Sequence, residues 1–179
     1  IIAGYFFLSK ASNKEEIKDS VKKDSIMDTN TNDSTQSAKL IIEEYNKNIS
    51  SNYEMSRYEA LEVISKKTKG MIRFSTTAMA SRELYEIDDS VKNFYTIGSM
   101  GHIGAIALGT ALQKNEKVVV IDGDGALLMH LGILSTIGNL KPKNLLHICL
   151  DNESYSSTGS QSTTSNTTYL DKVALDCGY

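Results

Sequence analysis

The sequence predicts an α/β fold, a doubly wound parallel sheet with helices on both faces, and three observations predict it. Lys117-Val-Val-Val-Ile121 is a β-branched run that ends abruptly in the acidic glycine turn Asp122-Gly-Asp-Gly125. Such a continuous apolar run reads as a strand buried on both sides. Leu145-Leu-His-Ile-Cys-Leu150 is a second apolar run, and it too ends on an oxygen-rich pair, Asp151-Asn152. Around these runs, extended and helical patterns alternate as β-α-β-α-β-α-β-loop-α, which is how parallel strands joined by crossover helices are written.

The chain opens on an apolar stretch, residues 1–8, far too short to span a bilayer and preceded by no basic region. It reads as the end of a strand. Residues 9–39 are polar, and Asp28-Thr-Asn-Thr-Asn-Asp-Ser-Thr-Gln-Ser37 holds no apolar side chain. Nothing there offsets the entropy of ordering, so it reads as a linker, with a charged helical piece near residues 14–23. Residues 38–48 form a short amphipathic pattern through Leu40, Ile41 and Tyr45. Residues 1–54 are therefore expected to be the tail of a preceding domain plus a polar linker, and residues 55–179 the folded unit.

Ser56-Arg-Tyr-Glu59 is a capping box, in which Ser56 and Glu59 each satisfy a free amide at a helix start. That helix is expected to reach Lys67 and to bury Ala60, Leu61 and Ile64. Gly70-Met-Ile-Arg-Phe74 reads as the first strand, ending in the hydroxyl-rich turn Ser75-Thr-Thr-Ala78 and a helix through Ala80-Ser-Arg-Glu-Leu-Tyr-Glu86. Free amides at a helix start beside threonine hydroxyls suit an anion. Phe94-Tyr-Thr-Ile97 is a short strand leading into Gly98-Ser-Met-Gly-His102. The helix after it, residues 103–113, carries Gly104, Ala105, Ala107, Gly109 and Ala111, small enough for close packing on a sheet. A helix over residues 127–138 is stopped by Lys141-Pro142, because proline offers no amide donor. Residues 154–168, crowded with Ser, Thr and Asn, make a polar loop of a length that is usually functional or mobile. One more helix opens at residue 169.

Composition narrows the class. The chain has 179 residues, enough for one domain with a full core, and is 40% hydrophobic and 23% charged, ordinary for a soluble protein. A formal net charge of −3 argues against a nucleic-acid partner, which needs a basic stripe. Two cysteines, Cys149 and Cys177, are too few for a disulfide framework, and Cys149 inside an apolar strand reads as a reduced core thiol of a cytoplasmic protein. The first residue is Ile1, and Asp176-Cys-Gly-Tyr179 reads like the middle of a domain. The expectation is a piece of a longer polypeptide.

The chemistry gathers where the two apolar runs end. Neighbouring parallel strands deliver their C-terminal loops to one edge of the sheet, where ligands bind. Asp124 and Asn152 are then two oxygen ligands beside glycines, the set that suits Mg²⁺ shared with substrate phosphate oxygens. By chemistry alone Asp124 is equally a helix cap and Asn152 a turn amide. His130 and His147 have no Cys or carboxylate partners at metal spacing, so no zinc site is expected.

Gly123-Asp-Gly125, with Asn152 one βαβ unit further on, resembles the thiamine diphosphate signature. Together with Gly98-Ser-Met-Gly-His102, Gly123-Asp-Gly-Ala-Leu-Leu-Met-His130, Leu150-Asp-Asn-Glu-Ser-Tyr155 and Ser157-Thr-Gly159, the wording is similar to the phosphonopyruvate decarboxylases and the related sulfopyruvate decarboxylases. The resemblance runs over residues 55–179. It implies a thiamine diphosphate-binding fold, in its pyrophosphate-binding half and truncated at the C-terminus, with thiamine diphosphate and Mg²⁺ as cofactors. The implied metal ligands are Asp124, Asn152 and the main-chain carbonyl of Ser154. Gly123, Gly125 and Ala126 would meet the diphosphate, Ala126 through main chain only, since many thiamine enzymes carry Ser there. Thr77 belongs to the hydroxyl turn near the phosphates, where Ala78 replaces a usual Gly.

The resemblance also implies that Gly98, Ser99, Met100 and Gly101 grip the aminopyrimidine, with Met100 as the wedge that bends the cofactor. His102 is the candidate to touch substrate, although a lone His at a helix start is commonly structural. Tyr155 stands where close relatives often carry His, and Ser157, Thr158, Ser160 and Gln161 are candidate loop contacts. Asp122 is expected to shape its loop rather than bind metal. The implied reaction is decarboxylation of a 2-oxo acid, phosphonopyruvate first and sulfopyruvate as the alternative, through chemistry borne by the cofactor. Its activating glutamate lies on a pyrimidine-binding domain of the same or another subunit, so a homo-oligomer is expected and this stretch alone should be inactive. A dinucleotide-binding dehydrogenase fits less well, because Gly98-x-x-Gly101-x-x-Gly104 is not the Gly-x-Gly-x-x-Gly fingerprint. A non-catalytic subunit of the same fold is the remaining alternative.

Overall fold

The backbone of a computed structural model, described for residues 55–179 and for Leu40, carries the alternation expected from the sequence. Leu40 is helical; the rest of the helix expected at residues 38–48, the linker and the N-terminal strand end lie outside the described residues. Helix α1 (Arg57–Lys67) starts with the expected capping box: the Ser56 hydroxyl accepts from the Glu59 amide, and Glu59 accepts from the Ser56 amide at 2.9 Å. Then follow β1 (Ile72–Ser75), α2 (Met79–Asp88), β2 (Asn93–Tyr95), α3 (Ile103–Gln113) and β3 (Val118–Gly123). The chain continues through α4 (Asp124–Met129), α5 (Ile133–Leu140), β4 (Leu145–Leu150), a 3₁₀ turn (Thr164–Asn166) and α6 (Leu170–Asp176).

The four strands are parallel in the order β2-β1-β3-β4. From β1 the chain winds one way to β2 and the other way to β3 and β4, so the strand order reverses between β1 and β3. That reversal opens a crevice beyond the strand ends. Alternate residues of β3 face opposite sides, as strand geometry demands. Val119 and Ile121 pack with Leu146 and Ile148 of β4 against Leu61 and Ile64 of α1 and Leu84 of α2. Val118 and Val120 pack with Leu145 and Cys149 under Ile103 and Ala107 of α3, Leu134 and Ile137 of α5, and Leu170 and Ala174 of α6. Each fully buried Leu or Ile contributes roughly 1.5–3 kcal/mol, and these two clusters fix the sheet between two helical layers.

The first strand runs Ile72–Ser75 rather than from Gly70 to Phe74, and two further elements differ from the sequence reading. The second strand is Asn93–Tyr95, not residues 94–97, because Thr96 turns inward: its amide and hydroxyl both donate to the Ser75 carbonyl, at 3.1 and 3.0 Å. Ile97 is left 98% exposed. The helix expected over residues 127–138 is two helices broken at His130–Gly132. Their packing demands differ. α4 lies against the loop before α3, where a Cβ on Gly101 would sit 2.8 Å from the Ala126 carbonyl oxygen, whereas α5 lies against the end of α6, where a Cβ on Gly138 would run into the Cys177 main chain.

Candidate functional site

A cleft sits in the crevice between the ends of β1 and β3. Thr76, Thr77 and Ala78 line it from β1, Asp122 to Ala126 from β3, and Asn152, Ser154 and Tyr155 from β4, with Met100 and Arg57 at its sides. Register explains the gathering. Gly123 pairs with Leu150, so Asp124 and Asn152 leave adjacent parallel strands at the same edge.

Asp124 is only 4% exposed. Its Oδ2 accepts the Thr163 hydroxyl at 2.6 Å and lies 3.3 Å from the Ser165 hydroxyl, while Oδ1 accepts no hydrogen bond from the described residues. A buried carboxylate with one oxygen anchored and the other lacking a protein donor, in a cleft floored by glycines, fits a bound cation. Asp151 stands beside it and takes the Ser165 hydroxyl at 2.8 Å. Burial, with the charges of Asp124 and Glu153 adding to it, holds the Asp151 carboxyl above the usual carboxylate range, against the opposing hydrogen bonds from Glu153 and Ser165. A second acidic group this close makes the pocket more attractive to a positive ion.

Asn152 is exposed and locally braced: its Oδ1 accepts the Ser154 amide at 3.2 Å and its Nδ2 donates to the Ser156 hydroxyl at 2.6 Å. Glu153 between them takes a left-handed backbone, φ 55°. Ser154 bridges to Ser162 across the polar loop, and Tyr155 and Gln161 are tied by a main-chain bond of 2.9 Å. The loop is thus folded back on itself, with Tyr155 laid over Gly125, where an added Cβ would lie 2.7 Å from Tyr155 Cδ1. Of the other loop candidates, Ser157 lines the cleft, whereas Thr158 donates to Gln161 at 2.9 Å on the exposed side, and Ser160 is exposed.

Ala78 holds φ 68° and ψ −132°, a conformation natural to glycine. Here it stores strain of about 1–3 kcal/mol, partly offset by the entropy a glycine would add. Ala78→Gly is therefore expected to stabilise the protein by roughly 1 kcal/mol, read as a higher thermal midpoint; a lower midpoint would remove the strain argument.

The structure brings Thr77, Met100, Gly123, Asp124, Gly125, Ala126, Asn152 and Ser154 to this one cleft. Gly98, Ser99, Gly101 and His102 do not line it. Their loop is tightly turned, with Ser99 at φ 56° and Gly101 at φ 90°, and His102 stacks on His130 with ring centroids 4.8 Å apart. Asp122 shapes the loop as expected, its Oδ1 accepting the Gly123 amide at 2.9 Å while its Oδ2 stands 3.6 Å from His147 Nε2. His147 in turn meets the Tyr179 hydroxyl at 3.1 Å. Cys149 is buried and unbridged, and burial, with Asp122 next in effect, pushes its thiol well up. Sequence reasoning did not find Thr163 and Ser165. They stand in a tract so rich in hydroxyls that no spacing marks one above another.

Residues 74–175 match the family described as "Thiamine pyrophosphate enzyme, C-terminal TPP binding domain". The chain belongs to the thiamine pyrophosphate enzymes. Within that family it is 44% identical over 125 residues to the sulfopyruvate decarboxylase subunit beta of Methanococcus maripaludis, covering 70% of this chain and 68% of the relative. It is 50% identical over 105 residues to the subunit of the same name from Methanocaldococcus jannaschii, covering 58% of this chain and 56% of that one. It is also 50% identical over 105 residues to the phosphonopyruvate decarboxylase of Streptomyces viridochromogenes, covering 59% of this chain but 26% of the relative. The chain thus spans about a quarter of that enzyme and from about half to two thirds of the beta subunits. The four-stranded parallel sheet belongs to a thiamine pyrophosphate-binding domain, and the cofactor of such a domain is thiamine diphosphate.

Proposed function

We propose that this domain serves a Mg²⁺-dependent decarboxylase of a 2-oxo acid that carries a second, strongly anionic group, phosphonopyruvate or sulfopyruvate. The supporting observation is the convergence of Asp124 and Asn152, from register-paired strands, on one glycine-floored cleft. Asp124, Asn152 and the carbonyl of Ser154 would hold the cation, which in turn neutralises the diphosphate. Thr77, Gly123, Gly125 and Ala126 would line the diphosphate, and Met100 the far wall. Thiamine diphosphate, when bound, supplies the electron sink that accepts the pair released with carbon dioxide. The residues of this chain bind and orient; Tyr155 and the folded polar loop screen the cleft from water.

The activating carboxylate belongs, on this reading, to a pyrimidine-binding domain of the same or another subunit. Relatives named as beta subunits support the second arrangement, and the phosphonopyruvate decarboxylase, of whose length this match covers only 26%, leaves room for the first. The two substrates share a 2-oxo acid joined to a tetrahedral anion, so one assay separates them. Full-length protein, alone and with a co-expressed partner subunit, is given phosphonopyruvate, sulfopyruvate or pyruvate with thiamine diphosphate and Mg²⁺. Carbon dioxide release is expected from one of the two dianionic acids, at least about tenfold faster than from pyruvate, in line with what a lost charge-assisted contact costs. Equal turnover of pyruvate would refute the substrate class, and no release from any acid would refute the decarboxylase.

A further inference from the structure

The polar loop ends in a feature that neither the motif nor the comparisons assign. Thr163 and Ser165, only 3% and 4% exposed, reach back from the far side of the loop to the buried carboxylate of Asp124. The Thr163 hydroxyl is 2.6 Å from Asp124 Oδ2, the length of a charge-assisted O–H···O⁻ bond. Ser165 Oγ lies 2.8 Å from Asp151 Oδ1, 2.9 Å from Thr163 Oγ1 and 3.3 Å from Asp124 Oδ2. Two hydroxyls carry two protons. The shortest contacts claim them, Thr163's for Asp124 and Ser165's for Asp151, and the 2.9 Å contact between the two hydroxyls and the 3.3 Å contact are left without a hydrogen of their own.

From this geometry we infer that Thr163 is a positioning residue, which pins Asp124 Oδ2 so that Oδ1 is presented to a divalent cation, with Ser165 holding Asp151 clear. The inference rests on the proposed metal role of Asp124 and adds to it. An Asp side chain turns freely about χ2, and a carboxylate free to turn must give up that freedom when it binds a metal. Thr163 removes the freedom beforehand. Hydrogen-bond partners of metal ligands change affinity by about 10–100-fold when lost. The same bond fastens the end of the polar loop to the cation site, so ion binding and loop order are linked.

The test is Mn²⁺ binding to the full chain in saturating thiamine diphosphate, followed by electron paramagnetic resonance of the free ion, with thermal midpoints measured alongside. Thr163→Val keeps the shape and removes the proton; it is expected to weaken Mn²⁺ about tenfold while thermal unfolding stays cooperative. Thr163→Ser returns the hydroxyl and is expected to restore binding to within about twofold of the wild type. Wild-type affinity in a folded Thr163→Val protein overturns the inference. Should Thr163→Val not fold, Thr163→Ala decides: a loss of about tenfold beside near-wild-type binding by Thr163→Ser supports the inference, and wild-type affinity in Thr163→Ala overturns it. Asp124→Asn separates this failure from that of the underlying reading. If Asp124→Asn binds Mn²⁺ as the wild type does, the metal role of Asp124 falls and the inference with it. If only Asp124→Asn loses binding, the metal role stands and the positioning role falls.

Discussion

Asp124→Ala is expected to lose thiamine diphosphate retention in Mg²⁺ by at least about a hundredfold, roughly 2.7 kcal/mol of binding free energy. Asp124 would be the charged member of an otherwise neutral ligand set, the amide of Asn152 and the carbonyl of Ser154. Its removal takes away the largest attraction in the site, because hard divalent cations depend on carboxylate oxygens. The unliganded fold should suffer far less. Removing a buried charge relieves its desolvation and its repulsion of Asp151, against which stands one Thr163 hydroxyl left without its acceptor. Calorimetric titration with thiamine diphosphate, with and without Mg²⁺, measures the first quantity and thermal unfolding without ligand the second. A chelator should release cofactor from the wild type and change nothing further in the variant. Undiminished Mg²⁺-dependent retention would end the ligand assignment.

How much of this was legible beforehand follows from where each signal is stored. β3 and β4 were written plainly, because a strand buried on both faces must be a run of apolar residues, and their glycine and Asx endings marked the ligand edge. Ser56 and Glu59 announced α1 through a fixed-spacing cap. The break at His130 was not legible. It depends on two packing partners far apart in sequence, the Gly101 loop for α4 and the Cys177 turn for α5. Thr163 and Ser165 escaped for a related reason: their role is set by a long-range return of the chain to Asp124, and hydroxyls have no periodicity that records it. His102 was marked by its position after the glycine turn; its ring stacks on His130 and is not among the residues that line the cleft. Local rules thus found the main-chain frame and the residues that line the cleft from β3 and β4, and missed what reaches them from elsewhere in the chain.

Arg73 shows the same limit in the core, and it carries the largest expected effect on stability. The sequence placed it in the first strand without comment, but it is 1% exposed. Its Nε donates to Asn93 at 2.8 Å, its guanidinium to Ser65 at 3.0 Å, and it pairs with Asp88 at 2.9 Å. Asn93 passes the network on to the Asp88 carbonyl and the Tyr95 hydroxyl. One buried cation therefore ties β1 to α1, to the end of α2 and to β2, a strand of three residues that could not hold its place by ladder bonds alone. Arg73→Met fills most of the volume but leaves these acceptors without their donor. It is expected to cost about 3 kcal/mol, the low end for a broken buried pair, because Asp88 is about a third exposed and can rehydrate. The pH dependence gives a second signature. The Ser65 hydroxyl first, and Arg73 next, hold the Asp88 carboxyl below its ordinary value of 3.8. That stability is present above the ordinary value and is lost as pH falls through the lowered one. The gap between wild type and Arg73→Met in denaturant unfolding should then narrow on the acid side. Because β2 leads directly into the loop that sets Met100 at the cleft, the variant should also loosen cofactor binding at neutral pH. A variant as stable as the wild type would show that the guanidinium only fills space.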